Sequence, residues 1–77
     1  MGGKPTRVTN TIRALRFARG EMTQAELAER VGVTRQTVIA IEQGRYSPSL
    51  ETAFRIARAL DAPLDDVFAY PDEEPDR

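Results

Sequence analysis

The chain has 77 residues, enough for one small domain that buries only about 60% of its unfolded surface and leaves little room for a separate effector-binding unit. It contains no cysteine and no histidine, which excludes disulfides and cysteine metal sites and removes the commonest metal ligand and general base. The net charge of −1 hides an asymmetry: residues 1–45 hold eight Lys or Arg against four acids, a balance of +4, and residues 46–77 hold three against eight, a balance of −5.

Residues 1–6, with two glycines and a proline, read as a flexible arm, and 7–9 (RVT) suit a very short strand. A first helix is expected from near Asn10 to Ala18 or Arg19. Ile12 and Leu15 form its buried stripe, while Arg13, Arg16 and Arg19 line another face. Phe17 lies off the stripe and covers either an edge of the core or a partner. A second helix is expected over 24–31. Thr23 before it and Glu26 three residues on make a capping box, which satisfies two otherwise unpaired amides. Leu27 and Val31 stack on one face of it, and Ala28 is small where the next helix must cross closely. Gly32 falls where a helix end calls for a left-handed residue. Thr34 can cap a third helix over 35–43, on which Val38 and Ile41 share a face and which Gly44 stops. A plain helical hairpin does not require the small residue, the glycine and the five apolar residues Leu27, Val31, Val33, Val38 and Ile41 at these joint offsets. Residues 24–43 therefore read as a helix-turn-helix, the unit that sets one helix in the DNA major groove.

The stretch 45–49 (RYSPS) is turn-rich. Pro48 cannot continue a helix, and Ser49 can cap a fourth over 50–60. Leu50, Ala53, Ile56, Ala57 and Leu60 are expected inward, with Phe54 packing too and Arg55 and Arg58 outward. Pro63 opens a short fifth helix over 63–67, where Asp65 and Asp66 complement the dipole in the first turn. Residues 68–70 read as extended. The segment 71–77 (PDEEPDR), with four acids and two prolines, reads as a disordered tail. The expected organisation is an arm or short strand over 1–9, a DNA-binding domain over 10–70 and an acidic tail over 71–77. No stretch resembles a signal peptide, and no apolar run nears the roughly 20 residues that span a bilayer, so a cytoplasmic protein with no membrane partner is expected.

Over residues 12–68 the chain resembles the XRE family of regulators, which includes Cro and the lambdoid phage repressors. The resemblance is carried by TQAELAERVGVTRQTVIAIEQGRYSPSL (residues 23–50), continued by IARAL and PLDDVF. It points to a subgroup of very short, single-domain transcriptional regulators. It implies an all-α, five-helix, lambda-repressor-like fold, homodimerisation and operator binding. In some members short N- and C-terminal strands pair antiparallel, here 7–9 with 68–70. One departure is visible: the link Arg19-Gly20-Glu21-Met22-Thr23-Gln24 is one residue longer than the family's R-G-L-T-Q, with Met22 in place of the buried leucine.

In such domains the first turn of the third helix enters the groove. Arg35 can offer two donors to guanine O6 and N7, and Gln36 can pair bidentately with adenine. Thr37 stands beside them, and Ala40, one turn on, can touch a thymine methyl. Ile39 either meets a methyl too or shields the junction of the third and fourth helices. The resemblance implies that Gln24, opening the second helix, binds a phosphate. Thr34, Thr37, Arg45 and Tyr46 are further phosphate candidates. It also implies a structural ion pair between Glu42 and an arginine of the first helix, Arg16. Leu64, Val67, Phe68 and Tyr70 are the candidate dimer surface, with closure of the monomer core as the competing role. The expected protein is a repressor that occupies a pseudo-palindromic operator as a homodimer, with double-stranded DNA and a second copy as partners and no cofactor or metal. The alternative is an antitoxin or adaptor whose main partner is another protein. No nucleophile–base pair is evident, so an enzyme is not expected.

Overall fold

In the computed structural model the described residues are 6–71, and residues 1–5 of the expected arm and 72–77 of the expected tail lie outside them. Five helices and one strand pair follow in chain order: β1 (Thr9–Asn10), α1 (Ile12–Ala18), α2 (Gln24–Val31), α3 (Arg35–Glu42), α4 (Leu50–Ala59), α5 (Leu64–Val67) and β2 (Phe68–Ala69). The strands pair antiparallel, Thr9 opposite Ala69 and Asn10 opposite Phe68. The all-α fold with a short terminal β pair is thus the expected one, with the first strand shifted toward Asn10.

Each helix boundary has a local cause. The Thr23–Glu26 capping box is complete: the Thr23 hydroxyl accepts from the Glu26 amide at 3.0 Å, and the Glu26 carboxylate accepts from the Thr23 amide at 2.8 Å. Thr34 and Ser49 accept from the amides three residues on, at 3.1 Å each. Gly32 ends α2 at φ 90°, a left-handed conformation that a Cβ disfavours. Asn10 explains why α1 starts later than periodicity suggests. Its Oδ1 accepts the Ile12 amide at 3.1 Å, and its Nδ2 donates to the Ile41 carbonyl at 3.0 Å, so it ties β1 to the end of α3. Pro63 is the cap of α5 rather than its first residue, with ψ 153°.

The longer α1–α2 link is absorbed by two successive left-handed residues, Gly20 (φ 75°) and Glu21 (φ 59°). They return the chain so that Met22 is buried and its amide reaches the Arg16 carbonyl at 2.9 Å. Met22 joins one core with Ile12, Leu27, Ala28, Val31, Val38, Ile41, Ile56, Ala57, Leu60 and Val67. Leu15 and Val33 pack at its edge.

Two expectations fail at α4. Leu50 is 67% exposed and Phe54 49% exposed. They stand four residues apart on a ridge beside the buried face of Ala53, Ile56 and Ala57, and α4 presents that ridge to solvent. The arginines of α1 do not share one face either. Arg16 is buried. Arg19 is bound to the end of α4, donating from Nε to the Leu60 carbonyl at 2.9 Å and from Nη2 to the Asp61 carbonyl and carboxylate at 3.1 Å each. A cation there complements the dipole of α4.

Candidate nucleic-acid interface

The inner face of α3 is fixed by Val38 and Ile41, both buried in the common core, with α3 packed chiefly on α2. Helical spacing then turns the first two residues of α3 outward. Arg35 and Gln36 are exposed, and neither side chain makes a hydrogen bond or ion pair among the described residues. Thr37 and Ala40 are half-buried on the flank of the same helix. The Thr34 and Thr37 hydroxyls lie 3.0 Å apart, and Thr34 also accepts the Thr37 amide. Of the two hydroxyl protons, one is engaged in that contact and one remains available. Ile39 is half-buried. Arg45 and Tyr46 are exposed in the turn after α3, where the Arg45 amide closes the helix on the Ala40 carbonyl at 3.0 Å.

The end of α3 carries a buried polar network. Arg16 donates from Nε to Glu42 Oε2 at 2.6 Å, from Nη2 to Glu42 Oε1 at 3.2 Å and from Nη1 to the Met22 carbonyl at 2.8 Å. The ionic side chains are 8% and 9% exposed. Glu42 Oε1 also accepts from Gln24 Nε2 at 3.2 Å. The network joins α1, the opening of α2 and the end of α3, so the two helices of the motif are clamped at the side where both termini emerge. No buried side-chain polar atom among the described residues lacks a partner. Gln24 keeps one of its two amide donors for an external acceptor.

Gln24 and Arg35 line one open groove of about 480 Å³, together with Arg13, Phe17, Glu21 and Thr23. Arg13, read with Arg16 and Arg19 as one basic face, and Phe17, left between the core edge and a partner, both stand in this groove; charge and periodicity alone do not separate Arg13 from the bound Arg16 and Arg19. The candidate dimer residues divide between the two roles weighed for them. Val67 is fully buried in the monomer core and offers no side chain to a partner. Leu64 and Phe68 pack against that core and are half-buried, whereas Tyr70 is exposed. A second groove of about 380 Å³ is lined by Val8, Pro48, Leu50, Leu64, Phe68 and Tyr70. The exposed Leu50 extends it onto the outer ridge of α4. Among the described residues no cluster of acids could hold a metal, and no helix is long and apolar enough to cross a membrane.

Comparison with known proteins agrees with this geometry. The sequence model of the Helix-turn-helix family matches residues 12–67. The chain is 69% identical over 48 residues to an HTH-type transcriptional regulator of Methanothermobacter thermautotrophicus, spanning 61% of this chain and 70% of that one. It is 48% identical over 64 residues to the HTH-type transcriptional regulator YgzD of Bacillus subtilis, spanning 83% of this chain and 96% of that one. Among solved structures it is similar to the restriction-modification controller protein C.AhdI from Aeromonas hydrophila, with a TM-score of 0.66 and 34% identity over 71% of this chain and 82% of that one. The chain belongs to the XRE-type helix-turn-helix family and is a transcriptional regulator built on that DNA-binding domain.

Proposed function

We propose that the protein is a repressor that binds a pseudo-palindromic operator as a homodimer, with the first turn of α3 in the major groove of each half-site. The observation that carries this reading is the state of Arg35 and Gln36. They are adjacent, exposed and without internal partners, on a helix whose other face is locked into the core. Arg35 matches the O6 and N7 acceptors of guanine, and Gln36 matches the N7 and N6 of adenine. Ala40 supplies a methyl contact one turn on. Gln24 at the opening of α2, Thr34 and Thr37 at the start of α3, and Arg45 and Tyr46 in the turn after it hold the backbone.

A recognition helix this short reads few bases, and a two-fold dimer doubles the contact and sets half-sites about 10 bp apart. The exposed apolar residues Leu50, Phe54 and Tyr70, with the groove that Leu64 and Phe68 line, support this as the self-association surface. A surface of that chemistry facing water favours burial against a second copy. Bound at a promoter, the dimer acts by occupying the site that polymerase needs.

The test compares two substitutions on selected and on random duplexes. Gln36→Ala weakens specific binding by about 1–3 kcal/mol and relaxes preference at one base position. Arg45→Ala weakens binding to every sequence and flattens the salt dependence. Identical behaviour of the two variants on both duplexes defeats these role assignments.

A further inference from the structure

Phe17 is an exposed aromatic residue that neither the core, the first turn of α3 nor the self-association surface proposed above uses. It is 53% exposed and stands outside the buried cluster. Two guanidinium groups lie over its ring, Arg13 Cζ at 5.6 Å and Arg16 Cζ at 5.7 Å from the centroid. Both fall within the range of about 6 Å in which a cation is drawn to an aromatic face. The two cations differ in what else they do. Arg16 is fixed by Glu42 and the Met22 carbonyl, so it anchors the ring from the protein side. Arg13 is exposed and makes no hydrogen bond or ion pair among the described residues. Its N–H donors are therefore free for an external acceptor.

The position of this pair matters as much as its chemistry. Arg13 and Phe17 line the groove that Gln24 and Arg35 also line. They line a second, adjoining groove with Gln24 and Gln43. α1 thus borders the surface that the openings of α2 and α3 present.

We propose that Arg13 is a backbone-phosphate anchor contributed by α1 and that Phe17 is the positioning residue that holds its guanidinium ready. This rests on the DNA-binding reading above. A ring occupies only the face of a guanidinium and leaves its edge donors free to meet phosphate oxygens. An arginine already laid on a ring also loses less rotamer freedom on binding than one that swings free. Glu42 does not compete for it, since Arg16 and Gln24 take that carboxylate.

A double-mutant cycle tests the pair, using a duplex selected in vitro with the wild-type chain and a random duplex of equal length. Arg13→Gln weakens binding to both duplexes alike and lowers the slope of log K against log salt by about 0.9 per protomer, one phosphate contact each. Phe17→Leu weakens binding about two- to fivefold with the slope unchanged. In the Arg13→Gln background, Phe17→Leu costs nothing further. Each variant loses only the ring contact, so its unfolding midpoint stays within several degrees of wild type and the chain remains fully folded at the assay temperature, which separates positioning from a structural role. Additive losses, or an unchanged salt slope in Arg13→Gln, overturn the proposal while leaving the DNA-binding reading intact. Failure of the wild-type chain to bind any duplex overturns both.

Discussion

The buried clamp between α1 and the end of α3 makes a sharp prediction about Glu42→Ala. Arg16 and Glu42 are 8% and 9% exposed at the side chain and share two hydrogen bonds, at 2.6 and 3.2 Å. Truncating the carboxylate leaves the Arg16 Nε and Nη2 donors buried without an acceptor, since only Nη1 keeps its bond to the Met22 carbonyl. Removing one partner of a buried pair costs about 3–5 kcal/mol, mostly through the stranded charge. A chain of 77 residues has roughly 4–12 kcal/mol of stability in all, so this loss is a large fraction of it. For a domain of this size it corresponds to a fall in Tm of at least about 12 °C. Urea titration and thermal unfolding followed by circular dichroism read both quantities. The pair acts as a unit, so Arg16→Met combined with Glu42→Ala recovers much of the loss by removing the buried charge as well. A cost for Glu42→Ala below about 1 kcal/mol refutes the reasoning, and so does a double variant as unstable as the sum of the singles.

Other perturbations probe separate parts of the account. Leu50→Arg places a charge on a residue that is 67% exposed, so it shifts the chain from dimer to monomer in sedimentation while moving monomer stability by no more than about 0.5 kcal/mol; an unshifted dimer removes α4 from the self-association surface. Glu21→Gly relieves a φ of 59°, worth roughly 1–2 kcal/mol, against about 0.4–1 kcal/mol of added unfolded-chain freedom, so Tm rises by a few degrees. Gly32→Ala, at φ 90°, has the opposite sign: strain of roughly 1–2 kcal/mol outweighs the roughly 0.4–1 kcal/mol gained from the stiffer unfolded chain, so Tm falls by a few degrees. Space is not the cause there, because the added Cβ would meet only Arg55 Nη1, at an ordinary 3.6 Å. Unfolding midpoints that move the other way for either variant contradict the backbone argument.

The parts of the fold that local chemistry dictates were legible in the residues. Thr23, Glu26, Thr34 and Ser49 bond as capping chemistry demands, and Gly32 occupies the conformation that its position at a helix end requires. What escaped was any choice that needs the third dimension. The Leu50–Phe54 ridge and the Ala53–Ile56–Ala57 stripe are neighbouring faces of one helix, and periodicity alone does not say which is buried. Val67 looks as suitable for a partner as for the core until the fold closes around it. The arginines of α1 read as one basic face, yet Arg16 goes to Glu42 and Arg19 to the end of α4, leaving Arg13. The one-residue insertion was visible, but the left-handed pair at Gly20 and Glu21 that accommodates it was not, since glutamate carries no preference for that conformation.

The central claim is that two copies present Arg35 and Gln36 together to one duplex. In vitro selection of DNA bound by the purified chain, followed by sequencing, tests it most directly. The expected product is an enriched inverted repeat with half-site centres about 10 bp apart and a guanine and an adenine among the fixed positions of each half. Unenriched pools, or a motif that lacks two-fold symmetry, contradict it.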